Sequence, residues 1–146
     1  MPQDKPKATG EFHCLPFHQY PVSASFLTDR GHVRPINEDS AAVVIPANQT
    51  AMYAKGVLVI VADGMGGHEA GEIASGLAVD TVTEHFYASR HDIQKALVEA
   101  FLAANSAILE RARRDRKMAG MGTTCTAAVV LNGLAYTCLL YTSRCV

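Results

Sequence analysis

Charge of one sign is missing from this 146-residue sequence: 13 lysines and arginines stand against 14 aspartates and glutamates, a net of −1. No nucleic-acid partner is expected, because binding a polyelectrolyte takes a basic surplus. Long apolar runs are missing too. The longest is residues 57–62 with Gly56 beside it, about seven residues, where a membrane span needs roughly twenty. No secretory signal is expected, since residues 1–10 hold Pro2, Asp4 and Pro6 and no apolar stretch follows them. Cysteine is scarce. Cys14, Cys125, Cys138 and Cys145 form no C-x-x-C pair and no zinc-finger spacing with histidine. Reduced, mostly buried thiols in a cytoplasmic protein are the expectation.

What remains is a globular composition, 49% hydrophobic and 18% charged, with the length of one ordinary domain. Residues 1–20 read as a flexible lead-in. Residues 41–45 and 56–62 are short, β-branched-rich runs bounded by turn residues, and they read as two strands of a hairpin with a long loop. The second run does not alternate, which predicts a strand covered on both faces. Residues 69–89 predict a helix whose stripe is Ala70, Ile73, Ala74, Leu77, Ala78, Val82 and Phe86. Asp92 is placed to cap a second helix over 92–117, with Ile93, Ala96, Leu97, Ala100, Phe101, Ala104, Ala107 and Ile108 facing inward. Its end is crowded with Arg111, Arg113, Arg114, Arg116 and Lys117. These form either a solvated end suited to the helix dipole or a docking patch for acidic or phosphorylated segments. A strand over 123–131, the hairpin signal Asn132-Gly133 and a return strand from Leu134 complete an α+β pattern with no repeat.

Two acidic clusters sit at strand ends. Asn37-Glu38-Asp39, with Arg34 before it, precedes one strand; Asp63-Gly64-Met65-Gly66-Gly67-His68 follows another. Neighbouring carboxylates are costly unless something positive lies between them, and Mg²⁺ or Mn²⁺ prefers such oxygens. Gly64, lacking a Cβ, lets its carbonyl approach a cation closely. Either cluster alone is a weak signal, because acidic turns and Asp-Gly pairs are common, and Asp63-Gly64 by itself reads first as a plain acidic turn.

Together they carry a resemblance. Residues 28–40, Thr-Asp-Arg-Gly-His-Val-Arg-Pro-Ile-Asn-Glu-Asp-Ser, resemble the first motif of the bacterial metal-dependent serine/threonine phosphatases, the type 2C or PPM family. Residues 61–71, Val-Ala-Asp-Gly-Met-Gly-Gly-His-Glu-Ala-Gly, resemble the second, and Gly122-Thr123-Thr124 before a strand resembles the third. The likeness implies a β-sandwich flanked by α-helices on both sides, incomplete here because the C-terminal half is absent, with residues 21–137 as the N-terminal part of the domain. It implies hydrolysis of phosphoserine and phosphothreonine on proteins by a water activated between two Mn²⁺ or Mg²⁺ ions, opposite a serine/threonine kinase. By position, Asp63 is the bridging ligand, Gly64 gives a carbonyl, Glu38 and Asp39 hold metal or its waters, and Arg34 clamps the phosphate. A permanently charged planar fork suits phosphate oxygens. Thr123 and Thr124 are expected to satisfy local backbone or waters, and His68 is either a general acid or a helix-start residue. Where some members have a histidine after the Asp-Gly pair, this chain has Met65.

The family takes further ligating aspartates from Asp-Gly and Asp-Asn contexts in its C-terminal half. Asp4, Asp29, Asp80, Asp92 and Asp115 have neither context. Residues 138–146 back-translate into DNA that, from the Leu140 codon through a following stop, is its own reverse complement, as two transposase adaptors joined back to back would be. The expectation is an artefactual tail from library preparation, with the natural gene reading on after Thr137. The alternative is a real strand, since Leu139, Leu140 and Tyr141 are strand formers. A non-catalytic phosphoprotein-binding module and a small-molecule phosphohydrolase are the competing functional readings.

Overall fold

The computed structural model describes residues 8–13, 22–33, 35–66 and 70–140. In chain order the elements are β1 Ala8–His13, β2 Ser23–Thr28, β3 Asp39–Val44, α1 Gln49–Lys55, β4 Val57–Met65, α2 Ala70–Ala88, α3 Ile93–Arg114, a 3₁₀ turn Arg116–Met118, β5 Gly122–Leu131 and β6 Leu134–Leu140. Within the segment expected as a lead-in, β1 pairs antiparallel with β2. The main sheet is antiparallel in the order β3-β4-β5-β6. Cys138, Leu139 and Leu140, from the suspected tail, pair with β5; residues 141–146 lie outside the described residues.

The β3–β4 connection is not a plain loop. It holds α1, capped by Asn48, whose Oδ1 accepts from the Thr50 amide at 2.8 Å. Seven residues are too few to show a helical period in sequence. The return from β5 to β6 turns on Asn132 (φ 52°) and Gly133 (φ 76°), both left-handed as the Asn-Gly signal requires.

The core lies between one face of the sheet and the α2–α3 pair. Leu58, Ile60 and Ala62 of β4 and Cys125, Ala127 and Val129 of β5 meet Ala74, Ala78, Val82 and Phe86 of α2, with Leu97, Phe101 and Ile108 of α3 behind them. The α2 stripe is turned slightly from the expected one: Gly71, Ser75 and Val79 are buried, while Ile73 and Leu77 are half-buried. Asp92 caps α3 by accepting from the Lys95 amide at 2.9 Å, and that bond holds its carboxyl below the usual range. At the far end of the sheet the Tyr87 hydroxyl joins the end of β3 to the start of β4. It accepts from the Leu58 amide and lies within 3.1 Å of the Val44 and Gly56 carbonyls.

The expectation that β4 is covered on both faces is corrected. Among the described residues, α2 and α3 cover one side of β4, and on the other Val59 is half-buried and Val61 is 51% exposed. An unbroken apolar run reports that both faces are apolar, not that both are covered within the same stretch of chain.

Candidate functional site

Register builds the site. β3 and β4 pair so that Asp39 lies directly opposite Asp63, and β4 and β5 pair so that Asp63 lies opposite Thr124. Residues directly opposite in an antiparallel pair project to the same side. Asp39, Asp63 and Thr124 therefore form one row across three strands, on the face the helices leave open. Both aspartates are exposed.

The neighbouring backbone is packed tightly around Gly64. Its amide donates to the Glu38 carbonyl at 3.1 Å, and a Cβ there would run into the carbonyl oxygens of Glu38 and Gly71. Only glycine fits where three backbone segments meet. Gly71 is also constrained: a Cβ on it would lie 2.9 Å from Glu38 Cδ and 3.0 Å from Glu38 Oε1. The Glu38 carboxylate is thus turned toward the start of α2, while Asp39 and Asp63 look out from the open face.

Buried polar groups hold this arrangement. Asn37 is 6% exposed; its Nδ2 donates to Thr28 Oγ1 at 2.8 Å and its Oδ1 accepts from the Asp39 amide at 3.0 Å. Ser75 donates to the Glu38 carbonyl at 2.6 Å and lies 3.0 Å from Ser40 Oγ. Thr123 Oγ1 lies 2.7 Å from the Thr124 carbonyl, the local backbone role expected of it, and also 2.8 Å from the Asp63 carbonyl across the sheet. Ser75 is the residue that sequence reasoning missed. Its one signal was a small hydroxyl inside an otherwise apolar helix face.

Of the expected site residues, Asp39 and Asp63 come together, Gly64 lies next to them, and Glu38 adjoins them through its backbone. Arg34 and His68 lie outside the described residues. The loop leading to Arg34 is shaped by Asp29, which accepts from the Gly31 amide at 2.7 Å, and by Arg30, which donates to the Pro35 carbonyl at 3.3 Å.

The donor set fits a hard cation in kind. It is all oxygen, and two carboxylates held directly across a strand pair repel unless positive charge accompanies them. It does not fill a coordination shell: among the described residues, no three His, Cys, Asp or Glu side chains gather as a metal cluster. A cavity of about 360 Å³ between α3 and β6, lined in part by Gln94, Leu97, Tyr136 and Cys138, contains no carboxylate and lies apart from the row. Also among the described residues, no helix is long and apolar enough to cross a membrane.

The sequence is 36% identical over 114 residues to the serine/threonine phosphatase stp of Listeria innocua, covering 75% of this chain and 43% of that protein. Among solved structures, the serine/threonine phosphatase PstP/Ppp of Mycobacterium tuberculosis superposes with a TM-score of 0.61 at 36% identity, over 77% of this chain and 43% of that one. The catalytic domain of PstP in complex with two manganese ions gives a TM-score of 0.54 at 39% identity, over 70% of this chain and 40% of that one. The chain thus spans less than half the length of these relatives. The α+β fold, the glycine-packed acidic strand ends and a match of residues 36–140 to the protein phosphatase 2C model converge, and the chain belongs to the protein phosphatase 2C family.

Proposed function

We propose that this chain supplies the N-terminal part of a catalytic domain that hydrolyses phosphoserine and phosphothreonine on proteins, in the cytoplasm and opposite a serine/threonine kinase. The observation that carries this reading is the direct cross-strand pairing of Asp39 with Asp63 on an open sheet face, in a chain whose relatives are named serine/threonine phosphatases.

In this reading Asp63, Asp39, Glu38 and the Gly64 carbonyl hold part of the shell of two divalent cations, Mn²⁺ or Mg²⁺. The PstP neighbour with two manganese ions supports the choice of metal. When bound, the cations lower the pKa of a water and neutralise charge on the transferring phosphoryl group. Asp63 is held by its strand and, through its carbonyl, by Thr123, so its backbone is fixed in the row before any ligand arrives. Asn37 and Ser75 hold the Glu38–Asp39 peptide, Asn37 at its N–H and Ser75 at its carbonyl. Arg34 binds the substrate phosphate through its fork of donors.

The test is Asp63→Asn in the whole protein that carries this chain, assayed on a phosphopeptide with saturating Mn²⁺. Turnover should fall at least about a thousandfold, because removing a charge that positions metal and water acts on the transition state. Wild-type turnover in the variant would overturn the role given to Asp63.

A further inference from the structure

Five of the 13 lysines and arginines fall within seven positions, Arg111, Arg113, Arg114, Arg116 and Lys117, in a chain of net charge −1. All five are exposed. Ala112 is buried, so the arginines around it are directed away from the core. Two are engaged along the helix, Arg114 with Glu110 and Arg111 with Asp115 at 4.0 Å. Among the described residues, the side chains of Arg113, Arg116 and Lys117 have no carboxylate partner.

The helix dipole accounts for cations in the last turn of α3 and no further. Arg116 and Lys117 lie past that turn, in the 3₁₀ segment. They are held in a fixed shape: Asp115 Oδ1 accepts from the Lys117 amide at 3.0 Å, and the Met118 amide donates back to the Asp115 carbonyl at 2.9 Å. Like charges confined to one short turn repel one another, and an anionic partner relieves that cost.

The position of the patch indicates which anion. α2 starts at the acidic end of the sheet, where Gly71 meets Glu38, and α3 packs back along it. The C-terminus of α3 therefore returns to the same end. β5 begins directly after the basic turn, with Gly122 opposite Met65 and Thr124 opposite Asp63. Seven positions separate Lys117 from Thr124, so their Cα atoms lie no more than about 25 Å apart. The row and the patch share one end of the sheet but lie on its opposite faces, so a peptide joining them passes around that end, over a path longer than this straight-line bound.

We propose that Arg113, Arg116 and Lys117 form a docking surface for a carboxylate-rich flank of the protein substrate. This rests on the phosphatase reading above and adds a substrate class to it: phosphoproteins with Asp or Glu clustered near the phosphorylated residue.

The test uses the whole protein with Mn²⁺ and two phosphopeptides, one with three acidic residues about seven to twelve positions from the phosphoserine, a span that reaches around the end of the sheet, and one with alanines in their place. Para-nitrophenyl phosphate serves as a small substrate without a flank. Wild type should show a lower KM for the acidic peptide, and the preference should shrink as salt is raised. The triple variant R113A/R116A/K117A should raise the acidic peptide's KM about tenfold, leaving the neutral peptide and the small substrate unchanged. The charge-keeping variant R113K/R116K should retain the preference, which separates lost charge from lost folding. Fluorescence anisotropy of both labelled peptides gives a readout independent of turnover. Selective binding that needs these cations, with no hydrolysis of either peptide, supports docking and removes the phosphatase reading. Hydrolysis with no preference for the acidic flank removes docking and leaves the phosphatase reading standing. Equal loss on all three substrates in the triple variant, or competition by a polynucleotide or anionic vesicles as strong as by the acidic peptide, also overturns the proposal.

Discussion

Asp63 and Arg34 are assigned opposite kinds of work, and their substitutions should separate in kinetics. Asp63 acts where charge develops, so its loss should appear in kcat. Arg34 would hold the phosphate equally in ground and transition states, and uniform binding appears in KM. Arg34→Ala in the whole protein should raise KM for phosphopeptides at least about tenfold while the metal titration stays in place. A strong shift in metal dependence at constant KM would make Arg34 a support for the acidic cluster instead. Cys125 offers a prediction about pH. Its thiol is buried and its pKa is pushed from 9.0 up to about 12, chiefly by burial. Above pH 9 the unfolded chain gives up this proton while the folded one keeps it, so stability should fall as pH rises from 9 toward 12. Tyr87, also raised by burial, acts in the same direction at higher pH. Urea midpoints across that range should drop in wild type, and Cys125→Ala should flatten the earlier part of the drop.

At the scale of elements, the acidic end of the sheet depends on close backbone approach. β4 runs past its ladder with β3 at Gly64, still paired with β5, with the Glu38 segment on one side and the start of α2 on the other, and the carbonyls of Glu38 and Gly71 occupy the place of a side chain. Gly64→Ala should cost about 1–3 kcal/mol, as overpacking does. It should also displace Asp63 relative to Asp39, so activity should fall further than stability. Thermal unfolding and phosphopeptide turnover measured on one preparation check this. An alanine variant with wild-type melting and rate would show that the crowding is relieved by a small shift. The helices themselves were legible in sequence because each carries its own signal. Asp92 begins α3 where the side chain caps the Lys95 amide, and the alanine-rich stripes give α2 and α3 their inward faces. α1 was not legible, since seven residues make fewer than two full turns of apolar pattern.

At the scale of the whole molecule, the main sheet is half covered. On the face away from α2 and α3, Val61 is 51% exposed and Leu139 is 64% exposed, and β6 closes one edge of the sheet with no charged residue along Leu134–Leu140. An uncharged edge beside an open apolar face favours association between chains. The 146-residue chain expressed alone should therefore be poorly folded and inactive. Excess Mn²⁺ should not rescue it, because Glu38, Asp39, Asp63 and the Gly64 carbonyl provide fewer oxygens than a hard cation takes. Circular dichroism melting and phosphopeptide hydrolysis check this; a cooperative transition with metal-dependent turnover would show that the described sheet is sufficient alone.

The sequence by itself determined the α+β class, the position of each long element, the Asn132-Gly133 turn and the family, because each rests on residues close together along the chain. Asp63-Gly64 and Glu38-Asp39 were recognisable as chemistry for the same reason. Tertiary structure decided how those pairs meet. Asp39 lies opposite Asp63 through strand register, Ser75 reaches the Glu38 carbonyl from 37 positions away and Thr123 reaches the Asp63 carbonyl from 60. A shift of one residue in either pairing would turn each side chain to the other face. Contacts at such separations are set by how the helices and strands pack together, and no local pattern encodes them. The same packing brings the basic end of α3 to the acidic end of the sheet, which is why a charge run with two readings in sequence acquires a place beside the site.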